Sequence, residues 1–307
     1  MSGDPSDPAA SALLRSRPME PRSLRVRGAH DLDLHLLEWS ETGVACVLLH
    51  GFSNDAHIWD DFAPVVAPHY RTLALDLRGH GDSAWDSEAR YDYEHHLADL
   101  ERVLATLGVE RLVLVGHSFG GRVAMLFAGA HPERIAGLVV VDAGPELDAR
   151  GVVRIQVDLG RQAETDASFA TPAEYERLLS RAYPAARPAA LARMARSSLR
   201  ARDDGRLVRK LDPAFHRRAA QATPEEAALR EKETTRRLWE SLRRTPSPAL
   251  VVRGAASDVL SPEVAEHMLE ALPQGRLAVV ARAGHSVMTD NPEGFAEAVA
   301  AFALGDS

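Results

Sequence analysis

The chain has 307 residues, of which 45% are hydrophobic and 26% charged, with a net charge of −8. That is ample for one large core, or for a core with a smaller domain, and the acidic balance argues against a nucleic-acid binder of the basic-patch kind. A lone cysteine, Cys46, set in an apolar run, excludes a disulfide framework and reads as a small buried hydrophobe. No run approaches the ~18 apolar residues of a membrane span, and the N-terminus has no apolar core of a secretory signal. A cytoplasmic protein with no membrane partner is the expectation.

Residues 1–22 are rich in Ser, Pro, Asp and Ala without a sustained period, which predicts a disordered leader. Two strands follow, Leu24–Gly28 and Leu32–Trp39, and the alternation of Leu32, Leu34 and Leu36 gives the second one buried face. Val44–Leu49 is continuously apolar, as a strand covered on both faces requires. It runs into His50-Gly51-Phe52-Ser53-Asn54, a glycine turn that sets backbone N–H groups at the carboxyl edge of the sheet. Ile58–Ala67 reads as a helix and Arg71–Asp76 as the next strand. The loop Leu77–Ser83 reads as structural, with Asp76 and Arg78 hydrogen-bonded to backbone and His80 structural rather than catalytic. Leu97, Leu100, Val103, Leu104 and Leu107 mark an amphipathic helix from Tyr93 that Gly108 ends. The adjacent His95 and His96 point to different faces and are expected at the surface.

The most informative stretch is Arg111–Ala130. A β-branched run leads into Gly116-His117-Ser118-Phe119-Gly120, and a helix follows. A G-x-S-x-G between strand and helix is a turn so tight that its flanks must lack side-chain bulk. The serine is held in a strained conformation with its hydroxyl at the top of the sheet, and the helix N-terminus behind it supplies free N–H groups.

Strand Ile135–Asp142 continues an alternation of strands and helices, which implies a mostly parallel sheet with helices on both faces. The alternation breaks over 146–230. This stretch reads as a helical cap inserted after the sixth strand, with helices clearest at Glu174–Tyr183 and Leu191–Arg202. Segments 23–145 and 231–307 form the α/β core. From Arg150 to Arg244 there are 21 Lys+Arg against 13 Asp+Glu, leaving 15 against 31 elsewhere, so a basic cap lies over an acidic core. Such a cap could draw an anionic substrate, or cap and core could simply attract one another. Thr234–Arg244, Ala249–Arg253, Pro262–Ala271, Leu277–Ala281 and Glu293–Leu304 then read as helix, strand, helix, strand and helix.

Ser118, Asp258 and His285 each sit just past a strand's carboxyl end. Parallel strands place these loops on one edge, where a serine could meet the base it needs and the base its orienting carboxylate. Asp142 also ends a strand and is the alternative acid. Together with His50-Gly51-Phe52, Asp76-Leu-Arg-Gly-His-Gly-Asp-Ser83, Gly254-Ala-Ala-Ser-Asp258 and Gly284-His285, the elbow resembles the α/β-hydrolase superfamily, in its capped esterase, lipase and C–C hydrolase branch. The resemblance spans Leu24 to Leu304. It implies the α/β-hydrolase fold, a catalytic triad of Ser118, His285 and Asp258, and an oxyanion hole from the N–H groups of Phe52 and Phe119.

Epoxide hydrolases and haloalkane dehalogenases resemble this chain but carry aspartate at the elbow, so Ser118 points to acyl chemistry without cofactor or metal. The expected activity is a serine hydrolase acting on a small carboxylic ester or lactone, its pocket between cap and core with Trp59 and Met288 among the candidates for its lining. A C–C bond hydrolase of a ring-cleavage pathway, a thioesterase or perhydrolase, and a non-catalytic ligand receptor are the alternatives. The partner is a small-molecule substrate, whose identity the sequence does not define, nor does it define the oligomeric state.

Overall fold

The computed structural model describes residues 19–151, 153 and 168–303; the expected leader falls almost entirely outside them. Eight strands form one sheet: β1 (Arg22–Arg27), β2 (Asp33–Glu38), β3 (Ala45–Leu49), β4 (Arg71–Leu75), β5 (Leu112–His117), β6 (Ile135–Val141), β9 (Ala249–Gly254) and β10 (Gly275–Val280). Their spatial order is β1-β2-β4-β3-β5-β6-β9-β10. β1 pairs antiparallel with β2, and β2 with β4. From β4 to β10 every pairing is parallel.

The apolar runs behave as fully buried strands must. Successive residues of β5 face opposite sides of the sheet, with Leu112 and Leu114 in one apolar layer and Val113 and Val115 in the other. The first layer also takes in the elbow helix Phe119–Ala130 and the helix Tyr93–Thr106; the second takes in Trp59, Phe62, Phe295 and Val299. The sheet is therefore a rigid plate whose carboxyl edge gathers the loops after β3, β4, β5, β6, β9 and β10.

Between β6 and β9 the described residues hold helices Pro172–Ala182, Pro188–Ser197 and Ala214–Gln221, and an antiparallel ribbon of β7 (Leu199–Ala201) and β8 (Leu207–Arg209). The ribbon was not expected from sequence. It ends the helix predicted over Leu191–Arg202 at Ser197. The helix leading back to the core starts at Pro224 rather than Thr234, because Thr223 and Glu226 form a reciprocal capping box. Cations of this region meet core acids: Arg193 pairs with Asp60 and Asp61, and Lys210 with Asp82. The charge asymmetry thus serves at least in part to seat the helices on the sheet edge.

The loop after β4 is held more firmly than backbone hydrogen bonds would hold it. Arg78 is fully buried and forks onto Asp99 at 2.6 and 2.7 Å, with Asp86 at 3.3 Å and the Arg90 carbonyl at 2.8 Å. Asp76 takes the N–H groups of Ala56 and Asp82 and faces His35 at 2.7 Å. His96, expected at the surface, is 1% exposed. It lies one helical turn before Leu100, on the apolar stripe of its helix.

A buried pair whose partner is removed leaves an uncompensated charge in the core, at a cost of about 3–5 kcal/mol. Asp99→Ala and Arg78→Met should each lower stability by that amount in urea unfolding. Glu233→Gln, which breaks an exposed pair with Arg236, should leave the midpoint in place.

Candidate active site

The turn after β5 is built as the sequence requires. A Cβ on Gly116 would lie 2.3 Å from the Gly120 carbonyl oxygen, and one on Gly120 would lie 2.5 Å from the carbonyl oxygens of Leu49 and His50. Neither position can carry a side chain, so the chain reverses within van der Waals contact of β3. Ser118 at the apex has φ 52° and ψ −117°, a conformation that L-residues avoid. It is locked by its N–H donating to the Val141 carbonyl at 3.0 Å and its own carbonyl accepting from the Arg122 N–H at 3.1 Å.

Ser118 Oγ lies 3.0 Å from His285 Nε2, and His285 Nδ1 lies 2.8 Å from Asp142 Oδ2. A carboxylate only accepts, so the proton sits on Nδ1, and Nε2 is free to accept from the serine hydroxyl. The carboxylate in contact with His285 is therefore Asp142 rather than the expected Asp258, and that expectation is corrected. The reason lies in the loop after β9. Its inward-facing residue is Ser257, whose hydroxyl donates to Asp142 Oδ2 at 2.6 Å while the Gly254 N–H donates to Oδ1 at 3.1 Å. Asp258, one residue on, is half-buried and near enough to Arg150 to favour the charge on that guanidinium. Asp142 is wholly buried and takes three hydrogen bonds, which keeps its carboxylate fixed behind the imidazole.

The His285 loop is fixed from two sides that sequence reasoning missed. His117 Nε2–H donates to the His285 carbonyl at 2.9 Å, and the Gly284 N–H donates to Asp290 Oδ2 at 2.8 Å. Burial pushes the His117 pKa well below the usual histidine value, and proximity to His285 adds to the effect. The Asp290 carboxyl is pushed up, chiefly by burial. His117 was legible only as the residue before Ser118 in the G-x-S-x-G turn.

Gly51 lies against the elbow: a Cβ there would be 2.8 Å from His117 Nδ1 and 3.2 Å from Ser118 Cβ. The backbone of Gly51 therefore lies beside the serine, and Phe119 opens the helix that follows it. Trp59 and Met288, candidates for pocket lining, are 0% and 1% exposed and belong to the core; Trp59 packs on Phe62 and Phe295. Ser118 is half-buried and the His285 side chain 17% exposed, so the pair is reachable. A cavity of about 10 Å³, room for one water, lies between Asp55 and Ser198, and a broader hollow surrounds His30 and Arg102. Neither is lined by Ser118 or His285. His35, Asp76 and Asp82 lie close enough to hold an ion, but both His35 nitrogens are engaged, by Ser23 and Asp76, and Asp82 pairs with Lys210. That arrangement is accounted for as structure.

The alpha/beta hydrolase family model matches residues 46–298. The chain belongs to this family. Esterase Rv0045c of Mycobacterium tuberculosis H37Rv is 27% identical over 86% of this chain and 84% of that one. The crystal structure of an E-2-(acetamidomethylene)succinate hydrolase superposes with a TM-score of 0.79 at 23% identity, over 93% of this chain and 100% of that one. A fluoroacetate dehalogenase from a Burkholderia species is 38% identical, but over only 34% of this chain and 36% of its own length. No described helix of this chain is long and apolar enough to cross a membrane.

Two outcomes follow from the site. Asp142→Asn should lower kcat on any ester that the protein turns over by about 10⁴-fold, whereas Asp258→Asn should cost less than about tenfold; steady-state kinetics of the two variants decide between them. His80, His96 and His117 are all held neutral by burial, His80 with its pKa pushed down to about 3. The unfolded chain binds these protons below about pH 6.5 and the folded chain does not, so their contribution is intact above that pH and lost as pH falls through it. Stability should therefore fall as pH drops below about 6.5, measurable as a fall in urea midpoint that His96→Leu makes shallower.

Proposed function

We propose that the protein is a serine hydrolase that cleaves a small carboxylic ester or lactone through an acyl-enzyme, in a cytoplasmic setting. The observation that carries this reading is the unbroken line Ser118 Oγ, His285 Nε2, His285 Nδ1, Asp142 Oδ2, with gaps of 3.0 and 2.8 Å. As the serine oxygen attacks the carbonyl carbon, its proton passes to His285 Nε2, and Asp142 stabilises the imidazolium. Nε2–H then protonates the leaving alkoxide, and water repeats the sequence on the acyl-enzyme. The N–H groups of Phe52 and Phe119 would receive the oxyanion. Supporting this, Phe119 is the first helical residue, whose N–H has no intrahelical acceptor, and Gly51, the residue before Phe52, lies against Ser118.

The name of the esterase from M. tuberculosis supports ester chemistry. The partial dehalogenase match is weaker support for C–halogen chemistry, since Ser118 stands at the elbow here. The intact hydrogen-bonded line also weighs against a receptor that has lost turnover.

A fluorophosphonate probe should label Ser118 alone, and p-nitrophenyl acetate turnover should fall by more than about 10³-fold in Ser118→Ala. A folded protein that neither reacts with the probe nor cleaves esters, lactones or thioesters, yet cleaves a vinylogous diketone, would replace this reading with C–C hydrolysis.

A further inference from the structure

The Phe52 N–H belongs to the same planar peptide unit as the Gly51 carbonyl, and the two point in opposite directions. Whatever grips that carbonyl therefore aims the N–H. Two donors grip it. The Leu77 N–H donates to His50 Nε2 at 3.0 Å, so the proton of that ring is on Nδ1, which donates to the Gly51 oxygen at 2.7 Å. The Asn54 N–H donates to the same oxygen at 3.2 Å and closes a four-residue turn from Gly51 to Asn54. Its third residue, Ser53, has φ 64°, the left-handed sign that a type II turn demands there and that a non-glycine residue adopts only under strain. Such a turn persists only where its surroundings hold it.

The hold comes from Asn54 and, through it, from the region between β6 and β9. The Phe52 carbonyl only accepts, so the Asn54 side chain turns its amide nitrogen to that oxygen, at 3.3 Å. Its Oδ1 then accepts from the Tyr183 hydroxyl at 3.2 Å, at the end of the helix Pro172–Ala182. The next residue, Asp55, is buried and accepts from the hydroxyls of Ser197 and Ser198 at 3.1 and 2.7 Å, where the helix Pro188–Ser197 ends. The cavity with room for one water lies in the same junction, lined by Ser53, Asn54 and Asp55 on one side and by Tyr175, Ser198 and Arg209 on the other. Three hydroxyls from between β6 and β9 therefore converge on the two residues that follow the strained one.

We propose that Tyr183 and Asn54 are positioning residues for the Phe52 N–H, so that the region between β6 and β9 completes the oxyanion hole by holding the turn that carries it. The line of contact runs from the Tyr183 hydroxyl to Asn54 Oδ1, and from Asn54 to the Gly51 and Phe52 carbonyls, which flank the Cα of Phe52. Neither residue touches the reacting atoms. Without the Tyr183 hydroxyl the Asn54 side chain is free to rotate, the strained turn relaxes, and the N–H swings away from the developing charge. Substrate then binds as before, but its transition state is poorly met, which is a loss in kcat rather than in KM. This inference rests on the acyl-enzyme reading, with the Phe52 N–H as a donor, and assigns what controls that donor.

The test is steady-state kinetics on p-nitrophenyl acetate, whose two-carbon acyl group offers little for Tyr183 to bind directly. Removing an oxyanion donor outright costs about 10²–10³-fold in kcat, and misaiming one should cost less. Tyr183→Phe should lower kcat by about tenfold at unchanged KM, and Asn54→Ala by about tenfold to a hundredfold. Because Tyr183 acts through Asn54, Tyr183→Phe should add nothing in the Asn54→Ala background. Arg187→Gln breaks an ion pair that ties the same region to Glu293 without touching the turn, and should leave kcat in place. Tyr183→Phe deletes one hydroxyl and keeps the ring, so its split between kcat and KM decides the matter should Asn54→Ala not fold. The proposal is overturned if Tyr183→Phe spares kcat, if its effect persists in full without Asn54, or if Arg187→Gln loses as much. Fluorophosphonate labelling of the wild-type protein separates the two readings. No labelling of Ser118 sinks the acyl-enzyme, whereas labelling with an unchanged kcat in Tyr183→Phe sinks only the positioning role.

Discussion

The structure depends on one strained residue held where a strand becomes a helix. A φ of 52° with a ψ of −117° costs a non-glycine residue about 1–3 kcal/mol. The surroundings over-determine it. Val141 and Arg122 hold the backbone of Ser118 on both sides, and the two flanking glycines pack within 2.5 Å of where their missing side chains would stand. The turn cannot relax without separating the elbow helix from β3 and β6, which are central to the two apolar layers. Strain at one residue is thereby spread over the core of the molecule, and the hydroxyl is presented where a ligand can reach it.

The carboxylate shows the same economy. Moving a charge into the core costs several kcal/mol unless hydrogen bonds replace its water. Asp142 recovers them from a backbone N–H, a serine hydroxyl and an imidazole, contributed by β9, the loop after it, and the loop after β10. These donors also fix the carboxylate's orientation, so desolvation and positioning are achieved by the same three contacts. The imidazole is anchored in turn through its own backbone, by His117 at the end of the strand that precedes Ser118. Ser118, His285 and Asp142 are therefore joined to one another and to the sheet by a continuous set of hydrogen bonds.

How much of this could be read from the chain differs by level. The alternation of β-branched runs with amphipathic segments gave the parallel sheet, and glycine spacing gave the elbow, because backbone sterics allow few other solutions. The choice between Asp142 and Asp258 was not legible in the same way. The strand-edge rule puts both loops at one edge but does not say which carboxylate turns inward. In the loop after β9 adjacent residues face different ways, and the inward one is Ser257. Strand order does not decide it either, since β9 lies beside β10 and β6 beside β5; the side chain that faces His285 does. The ribbon β7–β8 was invisible for another reason: strands of three residues are too short to leave a period to detect.

His96 is the opposite case, where the signal was present and polarity overrode it. Positions 96, 100, 103, 104 and 107 lie on one helical stripe, and four of them are apolar. A polar residue on a buried stripe means either a core hydrogen bond or a contact reserved for something else. The first would have shown a partner, as His50 shows with the Gly51 carbonyl and the Leu77 N–H. His96 shows none among the described residues, and His80 satisfies only one of its two nitrogens. The fold thus bears the desolvation of these imidazoles, at about 1–3 kcal/mol for each unmet group, as it does at the Trp59 indole and the Thr289 hydroxyl. Apolar residues of similar size would fill the same space and stabilise the fold more.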